Sequence, residues 1–227
     1  MEEKDIDQQI EELNKITRED GKETYAQAQF NLACIYHKIK QDDKAEAFYL
    51  NINKEDNPVT YAEAQFKLGY IYEEIKHDYD QAEAFYLNIN KEDNPELYAL
   101  AQFSLGYIYQ EIKHDYDQAE AFYLNINKED NPLTYAEVQF KLGYIYEEIK
   151  HDYDQAEAFY LNINKEDNPE LYALAQFSLG YIYEEIKHDY DQTEAFYLNI
   201  NKEDNPELYA LAQFSLGYIY QEIKHRL

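Results

Sequence analysis

The chain has no tryptophan, one cysteine, one methionine, five prolines and six glycines in 227 residues. It is also short of positive charge, with 20 Lys and Arg against 47 Asp and Glu and a net charge of −27. Each shortage excludes something. A lone cysteine, Cys34, cannot form a disulfide framework or a thiolate metal cage within one chain. Phosphate contacts need clustered Lys and Arg, so a nucleic-acid partner is not expected. No apolar run approaches the roughly 20 residues of a membrane-spanning helix, so no membrane partner is expected. The start, MEEKDIDQQI, has the character of neither a secretory signal nor a transit peptide, and the expected location is the cytoplasm. No Gly-rich phosphate loop, nucleophile elbow or HExxH pattern occurs, so neither an enzyme nor a cofactor is expected. What is abundant is tyrosine, at 26, and a hydrophobic content of 45% that argues against disorder.

The scarce prolines reveal the organisation. Pro58, Pro95, Pro132, Pro169 and Pro206 are 37 residues apart, and each closes the same phrase, FYLNINKEDNP. The full copies are 22–58, 59–95, 96–132, 133–169 and 170–206, in one repeat domain spanning 1–227. The first copy is one residue shorter in its central turn. Alternate copies are the most alike, which gives a weaker 74-residue period. Residues 5–21 align without a gap on 78–94, with Asp5 falling on Asp78 and Ile16 on Ile89, so 1–21 reads as the second half of a copy. Residues 207–227 are a first half.

Each copy reads as two helices. In residues 61–76, Ala64, Leu68, Ile71, Tyr72 and Ile75 form one apolar stripe at helical spacing, which defines helix A. In the second half, Tyr79, Ala82, Phe85, Tyr86 and Ile89 share a face and define helix B. Asp78 and Gln81 have capping-box spacing before helix B. Asn94-Pro95 ends the copy and begins the next helix A, because proline suits a first helical position. Gly69, Gly106, Gly143, Gly180 and Gly217 recur inside helix A, where glycine costs about 1 kcal/mol against alanine. Their recurrence implies close helix approach. One such pair cannot bury its own apolar face, but stacked pairs can. The fold expected is all-α: a right-handed solenoid of about twelve helices, ordered B, five A–B pairs, then A.

The strings AQFKLGYIY and DYDQAEAFY resemble the tetratricopeptide repeat and, more closely, its Sel1-like branch. The resemblance covers essentially the whole chain. It implies a non-catalytic scaffold for protein–protein interaction, with the A helices lining a concave groove. Carried over by position, the groove residues are Phe66, Tyr70, Glu73 and Glu74, followed by Phe103, Tyr107, Gln110 and Glu111. The next two copies give Phe140, Tyr144, Glu147 and Glu148, then Phe177, Tyr181, Glu184 and Glu185. The first copy has Phe30, Cys34, His37 and Lys38 instead. Aromatic faces attract Lys and Arg, and neighbouring carboxylates add charge-assisted hydrogen bonds. The expected partner is therefore a protein or peptide of basic character.

Three other features have modest readings. His77-Asp78 and its repeats look like an exposed turn and a helix cap, with no metal site expected. Lys-Glu-Asp-Asn-Pro reads as a solvated turn. Cys34 reads as a small apolar filler rather than a nucleophile. The alternative to partner binding is self-association through the last helix A. There Leu216, Ile219, Tyr220 and Ile223 are expected to leave an apolar flank open and allow a homo-oligomer.

Overall fold

The computed structural model describes the backbone of residues 3–226 and the side-chain surroundings of residues 6–221. Among the described residues there are twelve α-helices and no strand. In chain order these are α1 (Glu3–Leu13), α2 (Lys22–Lys38), α3 (Asp42–Leu50), α4 (Pro58–Tyr70), α5 (Tyr79–Tyr86) and α6 (Pro95–Tyr107). They continue with α7 (Tyr116–Tyr123), α8 (Pro132–Tyr144), α9 (Tyr153–Leu161), α10 (Pro169–Tyr181), α11 (Tyr190–Leu198) and α12 (Pro206–Arg226). The order is B, five A–B pairs and A. Neighbouring helices pack on one another in an α-solenoid. The chain divides into two compact units, residues 1–125 and 126–227.

The repeated phrases have repeated physical roles. In the first unit, Asn94 accepts a hydrogen bond from the Leu97 amide and Pro95 takes the first helical position of α6. Asp78 accepts from the Gln81 amide and starts α5. Asn88 donates to Gln65 at 2.9 Å, joining the end of a B helix to its own A helix. Glycine allows the close approach: a Cβ on Gly69 would lie 2.5 Å from the Tyr86 ring. Ala64, Leu68, Ile71, Ala82, Tyr86 and Ile89 form the buried core positions of this copy. The second unit repeats these contacts, with Asn168 capping α10, Asn162 on Gln139 and Gly143 beneath Tyr160.

Within each unit, two ladders tie neighbouring copies together. Glu83 of α5 accepts from the Tyr109 hydroxyl at 2.8 Å and pairs with Lys113, whose ammonium lies 4.7 Å from the centre of the Tyr109 ring. Glu157, Tyr183 and Lys187 do the same in the second unit. The second ladder runs through the Lys-Glu-Asp-Asn-Pro turns. Lys54 pairs with Asp93 at 2.6 Å, and Lys165 with Asp204 at 2.5 Å. These turns are therefore joints between copies and not simply solvated loops.

The extra residue of the later copies is absorbed as a π turn. After α4, α6, α8 and α10 the chain makes a wider turn at Ile71–Ile75, Ile108–Ile112, Ile145–Ile149 and Ile182–Ile186. The amide of Lys76 reaches back five residues to the Ile71 carbonyl at 3.0 Å. His77, His114, His151 and His188 follow with φ near 54°, the left-handed conformation of a helix-ending residue. In the first copy α2 stays α-helical to Lys38, and Lys40 takes the left-handed position. The π turn rotates everything after it by about one position. Ile75 consequently leaves the apolar stripe and is 43% exposed, contrary to the simple helical extrapolation.

Candidate functional site

The A helices carry an aromatic row. Phe66, Phe103, Phe140 and Phe177 are half-buried, and each leans on the B-helix tyrosine of its own copy at 5.5–6.0 Å between ring centres. One turn further on, Tyr70, Tyr107, Tyr144 and Tyr181 are exposed. Glu74, Glu111, Glu148 and Glu185 are also exposed.

The residues before those glutamates do not stand on the same open ridge. The π turn swings Glu73, Gln110 and Glu147 inward, leaving them 7%, 4% and 6% exposed, while Glu184 is half-buried. Each accepts a hydrogen bond from the fully buried tyrosine of its B helix. The donors are Tyr86 to Glu73 (2.6 Å), Tyr123 to Gln110 (3.0 Å), Tyr160 to Glu147 (2.7 Å) and Tyr197 to Glu184 (2.9 Å). Burial holds the carboxyls of Glu73 and Glu147 above the usual carboxylate range, partly offset by the tyrosine bond. Burial likewise pushes the Tyr86 and Tyr160 phenols well up, so they remain donors.

In the first unit these residues enclose a cleft of about 290 Å³ between α4 and α6. Its lining comprises Phe66, Tyr70, Glu73, Glu74, Tyr86, Phe103, Ser104 and Tyr107. Tyr86 and Ser104 were not among the residues carried over by resemblance. Ser104 belongs to the 74-residue alternation, since Lys67 and Lys141 occupy the matching place in the alternate copies. A larger space of about 570 Å³ lies between α1 and α2, lined by Gln9, Glu12, Leu13, Ile16, Asn31, Cys34 and Ile35. It has aliphatic and amide walls with a single acid. Leu13 aligns with the tyrosine position of later copies.

The helix pairs, their caps and the glycine–tyrosine contact set the repeat type. A family model described as tetratricopeptide repeat matches residues 63–93, which span most of α4 and all of α5. Over that stretch the chain is similar to the tetratricopeptide repeat, and its other helix pairs repeat the same arrangement. No curated protein matches it. Tetratricopeptide repeats generally serve as non-catalytic protein-interaction scaffolds.

The other expected sites fall as follows. In the first copy, His37 pairs with Asp42 at 2.6 Å, and the Cys34 sulfur lies 3.4 Å from the Tyr49 hydroxyl, replacing the glutamate of later copies. His77, His151 and His188 each place Nδ1 near the carbonyl oxygen four residues earlier, so these rings finish the π turn. Among the described residues no three His, Cys, Asp or Glu side chains gather to hold a metal, and no helix is long and apolar enough to cross a membrane. On α12, Leu216 and Ile219 are buried against α11, at 3% and 2% exposure, so they do not form an open flank. Tyr220 is exposed, with its hydroxyl on Glu194. The side chain of Ile223 lies outside the described residues. Among the described residues of α12, Leu211, Phe214 and Tyr218 are exposed instead, with Phe214 at 78% exposure.

Proposed function

We propose that the protein is a non-catalytic scaffold that binds a protein or peptide of basic character on the aromatic and acidic face of its A helices. The α4–α6 cleft carries this reading, because exposed Tyr70 and Tyr107 flank a recess that also contains two glutamates. Rigid tyrosines give large contact area at low entropic cost, and carboxylates select for cations. The net charge of −27 adds a long-range attraction for basic partners that salt screens. The first copy, with Cys34, His37 and Lys38 on its face, contributes least to such a surface.

Binding can be measured with an array of Lys- and Arg-rich peptides, followed by anisotropy on the best sequence. Tyr70→Ala with Tyr107→Ala is expected to weaken binding about tenfold or more, the scale of interface hot spots. Raising salt is expected to weaken it further. Unchanged affinity in the double variant would place the partner elsewhere.

Self-association is a second reading, favoured by the exposure of Leu211, Phe214 and Tyr218 on α12.

A further inference from the structure

The four tyrosine-facing positions provide an internal comparison. Three hold Glu73, Glu147 and Glu184, while the third copy holds Gln110. Gln110 meets the structural demand in full. Its oxygen accepts from Tyr123, and its amide nitrogen donates to Glu111 at 2.9 Å. The fold therefore needs an acceptor beneath the tyrosine and does not need a charge. Burying a carboxylate is costly unless the charge is matched. At Glu73 only Oε2 has a partner, the Tyr86 hydroxyl. Where Gln110 reaches its neighbour through an N–H, Glu73 has a second acid, Glu74, next to it in sequence; burial raises the proton affinity of Glu73 and the like charge of Glu74 adds to it. Glu147 and Glu148 repeat this in the second unit. Glu73 and Glu74 both line the α4–α6 cleft, so together they present acceptors that one cationic donor can serve.

In the first unit the place for that donor is the α4–α6 cleft. Phe66 and Phe103 line it, Tyr70 and Tyr107 stand at its exposed edge, and Glu73 and Glu74 lie on one wall with Ser104 nearby. About 290 Å³ is ample room for one long side chain with its head group. A guanidinium suits this geometry better than an ammonium. It is planar, weakly hydrated, stacks on aromatic faces and carries five donors, so one group can serve two carboxylates.

We propose that the α4–α6 cleft is a receptor for a single arginine side chain of the bound partner, with the guanidinium stacked on the tyrosines and bridging Glu73 and Glu74. The matching residues of the second unit, Tyr144, Glu147, Glu148 and Tyr181, constitute a second receptor of the same kind. This rests on the reading of the A-helix face as a cation-binding surface.

The test uses the full chain and two small probes, N-acetyl-arginine amide and its neutral isostere N-acetyl-citrulline amide, titrated by calorimetry. Arginine is expected to bind about tenfold or more tightly than citrulline, because only the charged group makes charge-assisted bonds. The variant E73Q/E147Q/E184Q is expected to lose that preference without a lower melting temperature, since Gln110 already does this structural work. Equal affinity for the two probes overturns the proposal. So does an undiminished arginine preference in the triple variant. Arginine selectivity without capture of any basic peptide would uphold the receptor and sink the wider peptide-binding reading. Peptide capture that the triple variant leaves intact would do the reverse.

Discussion

Tyr86, Tyr123, Tyr160 and Tyr197 each fill the notch above a glycine and donate a hydrogen bond to an inward-turned residue. Where that residue is glutamate, stability depends on pH with a definite sign. Burial raises the folded-state pKa of Glu147, so the folded chain keeps a proton at pH values where the unfolded chain has lost it. Stability falls as pH rises through that window and returns as pH falls. Glu46 behaves oppositely. Burial raises it, but bonds from Lys76 and Tyr72 together lower it further, so its contribution fades only on acidification below the ordinary carboxylate range. Glu147→Gln is accordingly expected to raise the melting temperature at neutral pH, with the gain shrinking as pH approaches the carboxylate range. A variant less stable than the parent at neutral pH would mean that the charge is needed for folding.

At the scale of the element, the π turn decides which side chains are buried. Ala64 and Leu68 were legible from periodicity because they precede it, and Ile71 because it is the residue that opens it. Ile75 and Glu73 were not, since extrapolating 3.6 residues per turn across an inserted residue sends the first inward and the second outward. The caps at Asn94 and Asp78 and the close approach at Gly69 were equally legible, because each depends on a local rule of backbone chemistry. The Lys54–Asp93 joint was not, since it requires neighbouring copies to be in place. Nor was the cleft itself, which needs Ser104 and Tyr86 from separate helices. The first copy shows the turn's effect directly: without a π turn, His37 pairs with Asp42 and not with Tyr49. Deleting Glu111 gives the third copy that shorter spacing. We expect loss of the π turn and release of the Tyr123 hydroxyl from Gln110, at about 1–3 kcal/mol for an unsatisfied buried group. Chemical denaturation measures the cost. A deletion that leaves stability untouched would show that the buried bond contributes little.

For the whole molecule, the −27 charge acts on both proposed kinds of association, with opposite salt dependence. A basic partner is attracted, and salt weakens its capture. Two copies repel each other, and salt removes that barrier. If Leu211, Phe214 and Tyr218 support self-association, light scattering should give a mass above 27.2 kDa that grows with both protein and salt concentration. Phe214→Glu should restore the single-chain mass. A constant single-chain mass at every salt concentration would eliminate this second reading.

The ladders described above have a consequence for how such a gene can change. Tyr86 reaches Glu73 over 13 residues, Asn88 reaches Gln65 over 23, Tyr109 reaches Glu83 over 26 and Lys113 reaches Glu83 over 30. The turn-to-turn pair Lys54–Asp93 spans 39. Each of these links stays within a copy or joins it to the next. An unequal crossover that inserts or removes one 37-residue unit would therefore leave every such link with a partner of its own kind. Copy number can then drift without any new interface having to be selected.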